Sequence, residues 1–290
     1  MDSGRLNGRT KLTGLLGWPV VHSLSPAMHN AAYAHLGLDF VYVPFPTTAE
    51  SLGAAIAGLR ALGVVGANVT IPHKVAVLAH CQTLTPEAEL AGAVNTLVFQ
   101  RDGRIIGHNT DGAGFLASLS AELGVDPTRK RAVVFGAGGA ARAIVVSLGR
   151  AGAASIEVVN RSPARAAQLC MELGEKLPNT RLRPRRFDKR GIGAAFAGTD
   201  LLVNATSLGL HGEAFLPGLP LELLPARASV YDAVYRKDAE TPLVEAARAR
   251  GLSAQGGLGM LVHQAALAQR EWTGVDAPVE VMQAAARARG

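Results

Sequence analysis

Ala132-Val133-Val134-Phe135-Gly136-Ala137-Gly138-Gly139-Ala140-Ala141-Arg142-Ala143 is the stretch on which the fold turns. Its four leading apolar residues read as a buried strand, and the apolar run after the glycines continues as a helix through Leu148. Ile156-Glu157-Val158-Val159 supplies another strand, so strand, glycine turn, helix and strand fall within about thirty residues. In this G-x-G-x-x-A arrangement Gly136 permits a tight turn and Gly138 lets a phosphate approach the backbone. The small Ala141 lets helix and strand pack closely. Ala137, Gly139 and Ala140 fill the intervening positions, where amides at the helix start can receive pyrophosphate charge. A lone glycine pattern is often only a turn; this context predicts a Rossmann-like dinucleotide-binding unit.

The end of the following strand discriminates between cofactors. A free ribose hydroxyl usually meets an acidic acceptor there, which would repel a 2′-phosphate. The chain instead presents Asn160-Arg161-Ser162, with Arg165 further on. Arginine can clasp a phosphate through charge-assisted, often bidentate hydrogen bonds, so the segment points to NADP(H). The plainer reading leaves both arginines decorating a helix start.

Outward from this unit, Leu201-Leu202-Val203 and Ser229-Val230-Tyr231 look like later strands of the same sheet, and helical patterns return at Pro242–Arg250 and from Gly259 onward. The first 110 residues alternate short strands and helices: strands at Leu12–Trp18, Phe40–Phe45 and Val64–Thr70, and a helix from Pro26 to Leu36. A second helix carries Leu52, Ala55, Ile56, Leu59 and Leu62 on one apolar stripe. The expected fold is α/β in two units, residues 1–112 and 113–256; the family resemblance described below adds residues 257–290 to the first as a substrate-binding and catalytic domain and implies that the second is an NADP-binding domain. Gly112–Leu123 reads as the link between them.

Composition sets bounds. With 290 residues, 48% hydrophobic and 18% charged, the chain is an ordinary globular protein of one large or two smaller domains. Arg5, Arg9 and Lys11 before the apolar run Leu12–Val21 superficially resemble a secretory signal, but Gly14, Gly17, Trp18 and Pro19 interrupt it, and a strand entering a loop is the better reading. Gly251–Gln269 carries no charge but contains four glycines and several polar residues, and reads as a buried helix. A cytoplasmic location is expected. Cys81 and Cys170 are too few for a disulfide scaffold. The net charge of +6 favours anionic ligands without identifying nucleic acid. Its densest stretch, Arg181 to Arg190, lacks interleaved aromatics and reads as a solvated face.

Several polar residues stand out in the first part. Ser23 and Ser25, two apart before Pro26, could hold a carboxylate from an extended loop, although such serines are more often turn or cap residues. Alternation puts Asn68 and Thr70 on a common face, with Lys74 just beyond the following turn. Asn95 can donate and accept, whereas ionised Asp111 only accepts. A lysine and aspartate held together could orient a reacting oxygen and relay the proton that accompanies hydride transfer. His22, His29 and His73 lack a metal-ligand pattern, and structural roles are expected for them.

These segments closely resemble the bacterial shikimate/quinate dehydrogenase family. The matching stretches are Gly17–Pro26, Asn68–Lys74, Gly92–Thr96, Asn109–Gly112, Gly136–Ala143, Asn160–Arg165, Asn204–Gly209, Tyr231–Tyr235 and Gly256–Gln264, in order over nearly the whole chain. The resemblance implies NADP-dependent reversible reduction of 3-dehydroshikimate to shikimate, in chorismate and aromatic amino acid biosynthesis. It implies that Ser23 and Ser25 hold the substrate carboxylate, that Thr70, Asn95, Asp111 and Gln264 contact its ring, and that Asn68 and Tyr235 shape the pocket. Lys74 and Asp111 resemble the catalytic pair. Gly136, Ala137, Gly138, Gly139, Ala140, Ala141, Asn160, Arg161, Ser162, Arg165, Thr206 and Gly257 resemble the cofactor-binding set. Leu210 and Ala233 depart from methionines found in relatives. A monomer or homodimer, no metal, no nucleic acid and no membrane partner are expected. The alternative within the family is a quinate/shikimate dehydrogenase using NAD or both cofactors; outside it, a non-catalytic NADP-binding regulator.

Overall fold

The computed structural model describes residues 6–210, 213, 219–236 and 239–288, so Arg5 of the signal-like segment lies outside the described residues. The chain divides into two compact units, Met1–Thr110 with Val262–Gly290, and Asp111–Leu261.

The first unit opens with β1 (Lys11–Gly17), α1 (Ser25–His35), β2 (Phe40–Pro46), α2 (Leu52–Ala61) and β3 (Gly66–Val69). It continues through β4 (Thr83–Leu84), α3 (Pro86–Ala91), β5 (Thr96–Phe99) and β6 (Ile105–His108). The strands form one mixed sheet in the order β2-β1-β3-β5-β6-β4. β1 runs parallel to β2 and β3, whereas β5 runs antiparallel to β3 and β6. Local chemistry sets the helix ends. Pro26 pre-shapes the first turn of α1. Thr85 caps α3 through Ala88 N, and Gly92 ends that helix in the left-handed conformation at φ 59°. The stripe expected on α2 buries Leu52, Ile56 and Leu59, but Leu62 lies past the helix end and is 78% exposed.

The second unit comprises α4 (Asp111–Leu123), β7 (Arg131–Phe135), α5 (Gly139–Arg150), β8 (Ser155–Asn160), α6 (Pro163–Gly174), β9 (Arg181–Arg186) and α7 (Lys189–Phe196). It goes on through β10 (Leu201–Asn204), β11 (Ser229–Asp232), α8 (Pro242–Ala249) and β12 (Ser253–Gly256). The strands form an all-parallel sheet in the order β12-β11-β10-β7-β8-β9, the doubly wound topology that the glycine turn announced. Val133, Phe135, Leu202, Val230 and Val244 belong to its core.

Two sequence readings change, and a third, the basic stretch as a solvated face, gains a secondary structure. The proposed link Gly112–Leu123 is helix α4, a member of the second unit packed on α5. Gly112 serves that packing, since an added Cβ would lie 3.0 Å from the Ala143 carbonyl oxygen. The uncharged stretch from Gly251 contains strand β12 before α9 (Leu258–Thr273) begins. The basic stretch holds β9, an edge strand whose Arg185 pairs with Glu157 of β8.

The chain ends with α10 (Val279–Ala288), which packs on α1. Trp272 near the end of α9 donates from Nε1 to the Leu97 carbonyl of β5 at 3.0 Å, tying the C-terminal helices to the first sheet. Gly66 makes room for that indole, because a Cβ there would come within 2.2 Å of Nε1. Among the described residues, no helix is long and apolar enough to cross a membrane.

Candidate active site

Sheet topology collects the substrate-side residues of the first unit along one edge. β1 and β3 are parallel, so Ser23 and Ser25 beyond β1, and Thr70 and Lys74 beyond β3, follow carboxyl ends that face the same way. β5 is antiparallel, so Asn95 precedes it at that same edge, and Thr110 follows β6 there.

Buried hydrogen bonds join these positions. Tyr42 of β2 donates its hydroxyl to Asn68 Oδ1 at 2.8 Å. Asn68 Nδ2 donates to Thr96 Oγ1 at 3.1 Å and the Asn95 carbonyl at 3.3 Å. Thr96 Oγ1 donates to Asn95 Oδ1 at 3.0 Å. Asn95 Nδ2 in turn donates to Thr110 Oγ1 at 2.8 Å and to Gln264 Oε1 of α9 at 3.1 Å. The Thr110 amide closes the loop onto Asn95 Oδ1 at 2.8 Å, and its hydroxyl reaches the Gln264 carbonyl at 3.0 Å. A buried polar network satisfied in this way is rigid, because each unmade bond would leave a desolvated group.

Lys74 is half-buried, and its carbonyl accepts from Val94 N at 2.8 Å, fixing its backbone beside the residue that precedes Asn95. Thr70 approaches β1 closely: a Cβ on Gly17 would come within 2.3 Å of Thr70 Cγ2. The serines differ from the extended-loop reading. Ser23 ends a turn, with its amide on the Val20 carbonyl at 3.1 Å, and its Oγ accepts from Ser25 N at 3.2 Å. Ser25 is buried as the first residue of α1. Asp111, next along the chain from Thr110, is 3% exposed and opens α4.

His29 and His73 are buried and His22 is exposed. His73 Nε2 lies 2.7 Å from the Thr47 carbonyl. His29 stacks on Tyr42 with ring centroids 4.3 Å apart, and its Nδ1 lies 3.1 Å from Gln269 Oε1. Burial pushes the His29 pKa down to about 4, against the hydrogen bond to Gln269 Oε1, so the ring is neutral at pH 7. Among the described residues, no group of three His, Cys, Asp or Glu is placed to hold a metal ion.

The cofactor-side residues all belong to the second unit and lie at the carboxyl ends of its parallel strands, where open α/β sheets bind ligands. Gly136 turns out of β7 at φ 114°, and a Cβ there would come within 2.8 Å of the Ala205 carbonyl oxygen. At Gly138, the N-cap of α5, a Cβ would meet nothing within 4 Å, and no side chain caps the helix. The first amides of α5 are thus open to an anion. Asn160 Nδ2 donates to the Ser162 carbonyl at 3.1 Å, shaping the turn after β8, and Arg161 and Arg165 are exposed there. A diphosphate and a 2′-phosphate fit this donor set.

At the end of β10, Thr206 donates from both its amide and its hydroxyl to Asn204 Oδ1, at 2.9 and 2.7 Å. Asn204 Nδ2 donates to Asp232 Oδ1 of β11 at 2.8 Å. Gly257 sits against the backbone after β11, where a Cβ would come within 2.3 Å of the Ala233 carbonyl oxygen. Tyr235, three residues beyond β11, is half-buried, and burial raises its phenol pKa. Leu210 is 43% exposed.

Tyr42, Thr96, Thr110 and Asp232 hold these arrangements; Tyr42 lies outside the family-like stretches, and the other three lie within them without an expected role of their own. The available signal was strand register: Asn68 pairs with Thr96, and Asn204 with Asp232, each a polar residue at the end of an apolar strand.

A doubly wound parallel sheet with an open glycine turn, joined in one chain to a unit with a satisfied polar edge, marks a dinucleotide-binding protein of the two-domain α/β class. The family comparisons narrow that class. A model described as the shikimate dehydrogenase substrate binding domain matches residues 15–97, one described as shikimate/quinate 5-dehydrogenase matches 118–207, and one described as the shikimate 5′-dehydrogenase C-terminal domain matches 257–287. The shikimate dehydrogenase (NADP(+)) of Geobacter sp. (strain M21) is 49% identical over 284 residues, covering 98% of this chain and 97% of that protein. The corresponding protein of Rubrobacter xylanophilus is 48% identical over 290 residues, covering 100% of both chains. The crystal structure of shikimate 5-dehydrogenase from Thermus thermophilus in complex with NADP(H) and shikimate superposes with a TM-score of 0.84 at 41% identity, covering 96% of this chain and 99% of that one. The chain belongs to the shikimate dehydrogenase family.

Proposed function

We infer that this chain is an NADP-dependent shikimate dehydrogenase, an oxidoreductase that reversibly reduces 3-dehydroshikimate to shikimate. The observation that carries this is the 49% identity to an NADP-dependent shikimate dehydrogenase across 98% of the chain. The exposed arginines after β8, with asparagine rather than an acid at the strand end, support the NADP assignment. Two free cysteines support a cytoplasmic location, where thiols stay reduced.

In the proposed mechanism the Gly136–Ala141 turn, Asn160, Arg161, Ser162, Arg165 and Thr206 would hold NADPH, whose chemistry would be the supply of a hydride to the carbonyl carbon. Gly257 contributes close backbone packing beside that set. Lys74, as an ammonium, donates a proton to the carbonyl oxygen as its negative charge develops; in the oxidative direction the neutral amine takes it back. Asp111 is the acceptor that orients the Lys74 ammonium and the substrate hydroxyl. Ser23 and Ser25 donate hydroxyl hydrogen bonds to the carboxylate. Thr70, Asn95 and Gln264 hold the ring hydroxyls, Asn68 braces Asn95, and Tyr235 shapes the pocket.

Kinetics with shikimate and quinate, each with NADP and NAD, test the assignment. Shikimate with NADP should dominate, and dominant quinate/NAD turnover would overturn it. Lys74→Ala and Asp111→Asn should each lower turnover by about 10²- to 10⁴-fold, the usual contribution of positioned acid–base groups. NADPH binding, followed by its fluorescence, should persist. Near-normal turnover in both variants would remove the pair from the mechanism.

A further inference from the structure

The basic stretch Arg181–Arg190 is not uniform. β9 pairs with β8 in parallel register, with Arg181 opposite Ser155, Arg183 opposite Glu157 and Arg186 opposite Asn160. Arg181 therefore lies at the amino end of the strand, away from the carboxyl rim where open α/β sheets bind ligands. Arg185 is already paired with Glu157. Arg186 alone among the β9 arginines stands at the carboxyl rim, one strand spacing of about 4.8 Å from Asn160, whose next residue is Arg161.

The base of Arg186 is fixed while its side chain reaches into solvent. The next residue, Phe187, packs into the core and meets Phe135, the last residue of β7, edge to face at a centroid distance of 6.2 Å. Asp188 caps α7 by accepting from Gly191 N at 2.7 Å. Gly191 lies so close that a Cβ would approach the Arg186 carbonyl oxygen to 2.2 Å. The side chain is 79% exposed, and its ion pair to the half-exposed Asp188 at 3.5 Å is a long surface contact that holds it weakly.

We propose that Arg186 is a cofactor-specificity residue that joins Arg161 and Arg165 in holding the 2′-phosphate of NADP(H). The inference rests on the NADP reading and adds a cation from a different strand. A phosphate with two negative charges and three acceptor oxygens offers more acceptors than one guanidinium fills. An arginine at the end of β9 comes from a strand other than the one that leads to Arg161, and its planar fork is suited to bidentate contact with a phosphate.

The test compares Arg186→Gln with Arg183→Gln, which makes the same charge change on the same strand away from the rim, and with Arg161→Gln. KM for NADP and for NAD, kcat, and inhibition by adenosine 2′,5′-bisphosphate and by 5′-AMP are measured for each. Arg186→Gln should raise KM for NADP and the inhibition constant of the bisphosphate by about tenfold, the loss of one charge-assisted hydrogen bond. NAD, 5′-AMP and kcat should stay unchanged, and Arg183→Gln should match the wild type. An unchanged KM for NADP, a parallel rise for NAD, or an equal effect in Arg183→Gln would overturn the role of Arg186. If Arg161→Gln loses NADP preference while Arg186→Gln keeps it, only this inference fails; if neither loses it, the NADP reading of this rim fails too.

Discussion

Replacing Asp232 with asparagine removes one buried charge while keeping an acceptor for its neighbours. Asp232 is fully buried at the end of β11, where Oδ1 accepts from Asn204 Nδ2 at 2.8 Å and Val234 N at 3.0 Å, and Oδ2 accepts from Thr241 Oγ1 at 2.6 Å. Burial raises the carboxyl pKa from 3.8 to about 6, outweighing the hydrogen bonds from Thr241, Val234 and Asn204. Between those two values the folded protein binds more protons than the unfolded chain. Stability from this group is therefore present near pH 4 and lost as pH rises through 6. A shift of about two units corresponds to roughly 3 kcal/mol, fully lost by pH 7. Asp232→Asn has no such titration, so the stability of wild type minus variant should fall by about 3 kcal/mol between pH 4 and pH 7. Urea unfolding at half-unit pH steps reads this difference directly, because groups shared by both proteins cancel. A pH-independent difference, or one that rises with pH, would refute the placement of a desolvated carboxyl here. The same variant still offers an oxygen to Asn204, so the Thr206 loop should hold and KM for NADPH should remain within about twofold, inside the range expected when a hydrogen-bond partner is kept.

His29 should behave in the opposite sense: with its pKa lowered from 6.5 to about 4, the folded state resists protonation, and stability is lost as pH falls through that window, by about 3 kcal/mol in all. Nitrogen NMR shifts of its imidazole should remain those of a neutral ring down to about pH 5, and titration near 6.5 would contradict its burial. Two glycines of the cofactor half should separate packing from binding. Gly257→Ala forces a Cβ to within 2.3 Å of the Ala233 carbonyl oxygen and should destabilise the protein by about 1–3 kcal/mol in thermal unfolding. Gly138→Ala meets nothing within 4 Å and has an ordinary φ of −88°, so stability should match wild type while KM for NADPH rises severalfold; an unchanged KM would mean that no phosphate approaches this turn.

The second sheet was legible because its signal is local. A buried parallel strand is a short apolar run, and the glycine turn and helix follow without interruption, so β7 and α5 could be read from adjacent residues. β9 escaped because an edge strand need bury little, and RLRPRR hides its period under long charged side chains. Gly112–Leu123 reads as a link in sequence, whereas a helix exists there. Glycine lowers helix propensity, but here close packing on α5 prevails over it. The substrate-side network had no local signature at all. Tyr42 meets Asn68 across 26 residues, and Asn95 meets Gln264 across 169. Family resemblance named Asn68, Asn95 and Gln264, yet the hydroxyls that fix them, on Tyr42, Thr96 and Thr110, emerge only once strand register is known.

The two halves of the proposed site are therefore built on different physical terms. On the substrate side, Asn95 is held through both its amide nitrogen and its carbonyl oxygen, and the neighbours that hold it also hold one another. Changing one member leaves others as buried unpaired donors or acceptors, so effects there are coupled and a new ring-hydroxyl pattern demands several concerted substitutions. On the cofactor side, the pyrophosphate turn is backbone, and the cations proposed for the 2′-phosphate are exposed side chains on separate elements. Substitutions at Arg161, Arg165 or Arg186 leave no buried group stranded, and their effects on NADP binding couple only through the one phosphate they share. A scaffold built this way holds substrate identity rigidly while leaving NADP preference open to change one surface residue at a time.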